Sequence, residues 1–178
     1  IPAVAAVSLL IGTPLALGLE PKEVVLLFLT LFVMGPLISL VDTSEMKLLR
    51  RVPQMILGLA LLFTGIGHLT TSRAEFQAQV PTILKDYADF VVLASGVVEL
   101  LLGAGLILLL KIREQMGLLT ALFFIAIFWG NISQYINHVD AFGLNSDRAR
   151  FIRLFFQPAL VAWALLSTGA WHRLRQRK

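Results

Sequence analysis

FVVLASGVVELLLGAGLILLL, Phe90 to Leu110, is twenty-one residues long and carries a single charge, Glu99, near its middle. About 20 apolar residues make a helix long enough to cross the hydrocarbon of a bilayer. An ionisable group at the centre of such a helix costs at least ~2.5–3.5 kcal/mol to insert, so it must face a bundle interior and find a partner there. Ser95 lies one turn before Glu99 on the same face, and Gly96 and Gly103 lie beside that face. Small residues let a second helix approach closely. The stretch therefore predicts a spanning helix whose carboxyl points into a tight helix–helix seam.

The rest of the chain repeats the pattern. Of 178 residues, 57% are hydrophobic and 15% charged, against ~45–50% and ~25% in soluble domains. Apolar runs of spanning length fall at about Pro2–Leu19, Val24–Val41, Val52–Leu69, Phe90–Leu110, Met116–Ile136 and Phe151–Trp171. No secretory signal peptide is expected, because no basic region precedes the first run. Backbone groups in hydrocarbon must bond within their own segment, and these segments have helical length, not the short alternation of barrel strands. The expected fold is all-α, a polytopic transmembrane helical bundle of about six spans. Polar breaks separate them: EPKE (20–23), DTSEMKLLRR (42–51), TTSRAEFQAQVPTILKDYAD (70–89), KIRE (111–114) and NHVDAFGLNSDRAR (137–150). The segment from 70 to 89, with scattered Phe76, Val80, Ile83 and Leu84, suits an amphipathic stretch on the membrane surface.

Basic residues set the expected orientation. Lys47, Arg50, Arg51, Lys111, Arg113, Arg173, Arg175, Arg177 and Lys178 fall on one side, and Lys22, Arg73, Lys85, Arg148, Arg150 and Arg153 on the other. This bias places both termini in the cytoplasm, with the chain in a bacterial inner membrane. The basic tail serves as a topology determinant that touches anionic lipid; no nucleic-acid partner is implied. With no cysteine, disulfides, thiol redox chemistry and thiolate metal sites within the chain are excluded.

Polar residues recur inside the spans. Thr64 and His68 stand one turn apart; Asn131, Gln134 and Tyr135 share a side of the fifth span; Arg153 and Gln157 lie one turn apart in the sixth, before Pro158, which is expected to weaken the helix. Counted from the orientation above, four helices carry these groups into the outer half of the bilayer. His68, Glu99, Asn131, Arg153 and Gln157 are the candidate ligand-binding residues, with Arg153 the expected partner of Glu99. The structural alternative stands beside this one: polar groups hold helices together at about 0.6 kcal/mol each, and a histidine near a helix end more often bonds a neighbouring carbonyl than a metal. No HExxH, CxxC, P-loop or GxSxG motif is present, and no metal site is expected.

Three stretches resemble the DoxX/DoxX-like family of small integral membrane proteins: GIGHLTTSRAEFQAQVP (65–81), ASGVVELLLGAGLIL (94–108) and RLFFQPALVAWAL (153–165). Where many relatives read FPAN, this chain reads FWGN (128–131), keeping the asparagine and losing the proline. The resemblance implies a four-helix core over residues 50–178, preceded over 1–49 by two added transmembrane helices and an interfacial segment. It implies His68, Glu99, Asn131, Arg153 and Gln157 at motif positions, and links to membrane redox complexes, quinone-dependent sulfur oxidation or assembly of other membrane proteins. Two functions follow as expectations. One is an accessory subunit or assembly factor of a larger membrane complex, with other membrane protein subunits and the lipid bilayer as partners. The other is a quinone- or lipid-binding subunit of a redox system. Transport is disfavoured, since no repeat pair of the transporter kind is evident.

Overall fold

A computed structural model describes residues 51–70 and 72–176. The spans and interfacial segment expected over 1–49, and the last two residues of the basic tail, lie outside the described residues. Within them the chain is helical, with no strand: α1 (Val52–Leu69), α2 (Arg73–Ala78), a 3-10 turn (Thr82–Tyr87), α3 (Ala88–Leu108), a second 3-10 turn (Leu110–Ile112), α4 (Arg113–Ile136), α5 (Asp147–Thr168) and α6 (Ala170–Gln176). Four stretches are long and apolar enough to cross a membrane: Val52–Leu69, Thr82–Leu108, Leu110–Ile136 and Asp147–Thr168.

Local chemistry sets their ends. Pro53 sits in the first turn of α1, where its missing N–H has no helical acceptor to serve. Ser146 caps α5 by accepting from the Ala149 N–H at 3.3 Å, and Asp147 places a negative charge in the first turn, where the helix dipole favours it. The helix thus begins before Phe151. It runs unbroken through Pro158 and ends at Gly169, whose φ of 82° is left-handed, the conformation in which helices commonly terminate on glycine. The span expected to reach Trp171 is therefore divided there, and α6 leaves as a separate basic helix.

The bundle is built from two antiparallel pairs, α1 with α3 and α4 with α5. Glycines bring the first pair together. A Cβ on Gly58 would lie 2.9 Å from the Gly103 carbonyl oxygen, one on Gly103 2.7 Å from the Gly58 oxygen, and one on Gly65 2.9 Å from the Gly96 oxygen. In the second pair, a Cβ on Gly117 would overlap the Thr168 side chain. One apolar core joins the pairs: Leu57 and Leu61 of α1, Leu102 and Leu106 of α3, Met116, Ala121 and Phe124 of α4, and Trp163 and Ala164 of α5. Outward surfaces are also apolar, with Leu59, Phe90, Leu101 and Phe155 exposed, as a lipid-facing surface requires.

The two ends differ. One gathers Arg51, Lys111, Arg113, Arg173 and Arg175, with Arg173 3.6 Å from Glu114. The other carries α2 and the 137–146 loop, where acids and bases are mixed: Arg73 pairs with Asp89, and Phe142 N–H donates to Glu75 at 2.5 Å. Phe76 of the 70–89 segment turns inward onto His68, so the segment is a cap tied to the bundle, while its Ile83 and Leu84 stay exposed.

Backbone contact at the glycine seam leaves no room for side chains. Gly103→Val is expected to lower stability by about 1–3 kcal/mol through overpacking, read as earlier unfolding in a detergent–denaturant titration. Gly67→Ala, whose Cβ would meet its nearest neighbours at 3.7–3.8 Å, should not lower the midpoint.

Candidate functional site

Two groups of polar side chains occupy the interior toward the α2 end. The first belongs to α1 and α3. Glu99 is buried at 4% exposure, roughly midway along α3, between the two glycines that meet α1. His68 ends α1, with its Cβ 2.6 Å from the position a Cβ on Gly96 would take. Its Nδ1 lies 2.9 Å from the Thr64 carbonyl oxygen and 3.4 Å from Glu99 Oε2. The shorter contact is a hydrogen bond, which commits the Nδ1 proton to the backbone. Oε2 thus has an imidazole beside it but receives no hydrogen bond. The Thr64 side chain is the other polar neighbour, and its hydroxyl donates to the carbonyls of Ala60 at 3.1 Å and Leu61 at 3.2 Å. The Ser95 hydroxyl turns back to the Val92 carbonyl at 2.9 Å.

A cap closes over His68. Phe76 of α2 stacks on the imidazole with centroids 3.4 Å apart and an interplanar angle of 16°, and Phe142 meets Phe76 edge-on at 4.7 Å. Gln79 donates to Gln134 at 2.8 Å, whose own amide donates to the Val139 carbonyl at 3.3 Å. The loop carrying Phe142 is fixed by Arg150, itself buried, which donates to Asp140 at 2.6 Å, the Leu144 carbonyl at 2.8 Å and Asp147 at 2.8 Å. His138 Nδ1 lies 2.7 Å from Asp147. His138 and Phe142 both hold positive φ, 53° and 54°, a region costly for residues other than glycine, so the contacts of this loop hold it in place.

The second group belongs to α4 and α5. Asn131 donates to Gln157 Oε1 at 3.0 Å, and Gln157 Nε2 donates to the Phe124 carbonyl at 2.8 Å. Both residues are buried, and both of the Gln157 amide's functions are used. Among the described residues, no hydrogen bond or ion pair joins this group to Glu99 and His68.

The candidate residues thus divide. His68 and Glu99 come together, as do Asn131 and Gln157, while Arg153 joins neither. The expected Glu99–Arg153 pair is replaced by Glu99–His68: α3 packs chiefly on α1, so its inward face meets the end of α1 and not α5. Arg153 is half-buried and makes no hydrogen bond or ion pair among the described residues. No three His, Asp or Glu side chains among the described residues come together as a metal-binding set. Ser72, Gln54 and Arg150 are buried polar groups that do not stand out in the sequence. Gln54 is a lone amide in an apolar run; it donates to the Leu106 carbonyl at 2.6 Å and pins the far end of the α1–α3 pair. Arg150 was signalled only by the acid three residues before it, Asp147.

A double-mutant cycle with Asn131→Leu and Gln157→Leu is expected to give a coupling of about 0.6–1.7 kcal/mol, the range for hydrogen bonds between helices in membranes. The unfolding free energies of the four proteins in detergent measure it; additivity would mean that the bond does not hold the pair.

Residues 57–168 match the model of a family described as a domain of unknown function, DUF8561. No curated protein matches the chain, and no solved structure does. The chain belongs to the DUF8561 family.

Proposed function

We propose that this DUF8561 chain is an integral membrane accessory subunit or assembly factor, a helical scaffold against which other membrane proteins pack. One observation carries the reading. Buried and half-buried amides hold helices and cap together: the Gln54 N–H on Leu106, Asn131 on Gln157, Gln157 on Phe124, and Gln79 on Gln134. Polar side chains engaged in this way build a defined shape and leave an apolar outer surface for lipid and for neighbouring helices. The resemblance of the three motif stretches to DoxX-like proteins forms part of this proposal and supports it, since those proteins are linked to membrane complexes. The charge asymmetry supports a bacterial inner membrane location with the basic end in the cytoplasm.

A second reading rests on Arg153. A half-buried guanidinium with no ion pair among the described residues, flanked by exposed Phe151 and Phe155, suits a quinone carbonyl or a lipid phosphate, to which arginine donates in a fixed fork. On this reading the chain is the quinone- or lipid-binding subunit of a redox system.

Native mass spectrometry of the full chain, released from its own membranes in mild detergent, separates the two. The scaffold reading expects a second membrane protein at fixed stoichiometry, unchanged in Arg153→Gln. Bound quinone or phospholipid that disappears in Arg153→Gln, on a chain without protein partners, overturns it in favour of the second reading. A bare chain in every detergent tried overturns both.

A further inference from the structure

The polar atoms around Glu99 are unequally served. Glu99 Oε2 receives no hydrogen bond, and neither does Ser72 Oγ, although Glu99 is 4% exposed and Ser72 2%. His68 adjoins both. Its Nδ1 is 3.4 Å from Oε2, and Ser72 donates its backbone N–H at 3.1 Å to the carbonyl of Gly67, the residue before His68. A buried carboxyl oxygen and a buried hydroxyl that receive no hydrogen bond from the protein are sites where water binds in proteins. Both lie toward the α2 end. In the opposite direction Leu57, Leu61, Leu102 and Leu106 fill the α1–α3 interface with buried hydrocarbon, and the Gly58 and Gly103 backbones are in contact. Along α1 and α3 the next polar side chain that way is Gln54, at the far end of α1.

We propose that Glu99 is a proton-binding site inside the membrane that exchanges with water from the α2 side alone, by way of Ser72 and His68. A proton arriving from water forms an N–H bond at the imidazole Nε2. The Nδ1 proton then leaves its hydrogen bond to the Thr64 carbonyl: the N–H bond breaks, and the proton forms an O–H bond at Oε2 of the Glu99 carboxylate, 3.4 Å from Nδ1. The imidazole is left neutral in its other tautomer, and the reverse passage restores it. The other ionisable groups of the cap are otherwise engaged: Arg73 with Asp89, Glu75 with the Phe142 N–H, and Asp147 with Arg150 and His138. Lys85, Asp86 and Tyr87 of the 3-10 turn are exposed. His68 is the ionisable side chain in contact with the carboxyl. This goes beyond the scaffold reading and stands or falls separately from it.

The chain has no cysteine, so single cysteines report without background. Ser72→Cys, Thr64→Cys, Leu61→Cys and Leu57→Cys are made in the full chain, in sealed vesicles of known orientation, and exposed to silver ion from either side. Thiolates form only where water reaches, so Ser72→Cys and Thr64→Cys should react from the α2 side about tenfold faster than Leu61→Cys and Leu57→Cys. Infrared spectroscopy supplies the proton readout. A carboxyl band absent from Glu99→Gln should exchange in deuterated water, about tenfold more slowly in His68→Phe, which keeps the ring on Phe76 but cannot relay a proton. Thr64→Cys as protected as Leu61→Cys, modification arriving from the basic side, or exchange unaltered in a folded His68→Phe would each overturn the proposal. Should His68→Phe fail to fold, the cysteine series decides alone.

Discussion

The approach of α1 to α3, backbone against backbone, is the constraint on which the rest of the structure depends. Gly58 and Gly65 on one helix and Gly96 and Gly103 on the other are each seven residues apart, or two turns, so the same faces meet twice. In a bilayer, lipid tails are as apolar as leucine, and helices associate by close packing and hydrogen bonding, not by escape from water. Two glycine crossings supply that packing by close backbone approach, of the kind that allows Cα–H to carbonyl contacts. Glu99 lies between the glycines of α3. Any side chain in their place would prise the helices apart and turn the carboxyl toward lipid, where its insertion would carry the full penalty.

The same geometry explains why the polar groups separate into two sets. Each antiparallel pair has its own internal contacts: Gln54 with Leu106 and His68 with Glu99 across α1 and α3, and Asn131 with Gln157 and Phe124 across α4 and α5. Between the pairs, the core is hydrocarbon. Direct polar connection comes at the cap, through Gln79 to Gln134 and Glu75 to Phe142. Arg150 is buried at the mouth of this cap because three acceptors replace its hydration there.

Much of the helical architecture was legible in the sequence, because spanning length and lack of charge are properties of single segments. Glu99 and its glycine neighbours could be read for the same reason: the chain shows which face of α3 is small. What faces that side could not be read. The choice of Arg153 over His68 as the partner of Glu99 followed charge complementarity and depth, which are common to all helices in the bundle. Neighbourhood is decided by glycine matching between α1 and α3, and Gly58 and Gly65 were visible but their register was not. The attachment of the cap was not legible, because the polar residues of 70–89 conceal one inward aromatic, Phe76, whose role depends on His68 and Phe142, each distant in sequence or in element. Pro158 was expected to weaken α5, yet the helix continues on both sides of it, since the loss of one N–H is local and Gln157 is anchored to α4 immediately before it.

Two pairs joined by hydrocarbon and latched at one end have a mechanical consequence. Apolar surfaces can slide on one another without leaving a polar group unbonded, whereas parting Asn131 from Gln157 would strand amides in a medium that offers no replacement. Displacement is therefore easiest between the pairs, and most restrained at the cap, where Gln79, Glu75 and the Phe76–Phe142 contact cross the boundary. The cap also covers His68. A change that loosened the latch would alter the relation of α1–α3 to α4–α5 and uncover the imidazole together, while the glycine seam kept Glu99 where it is. Of the two left-handed residues in the 137–146 loop, Phe142 is held across the boundary by Glu75 and Phe76, while His138 is held by Asp147 within its own pair, so such a change would free the first and leave the second in place.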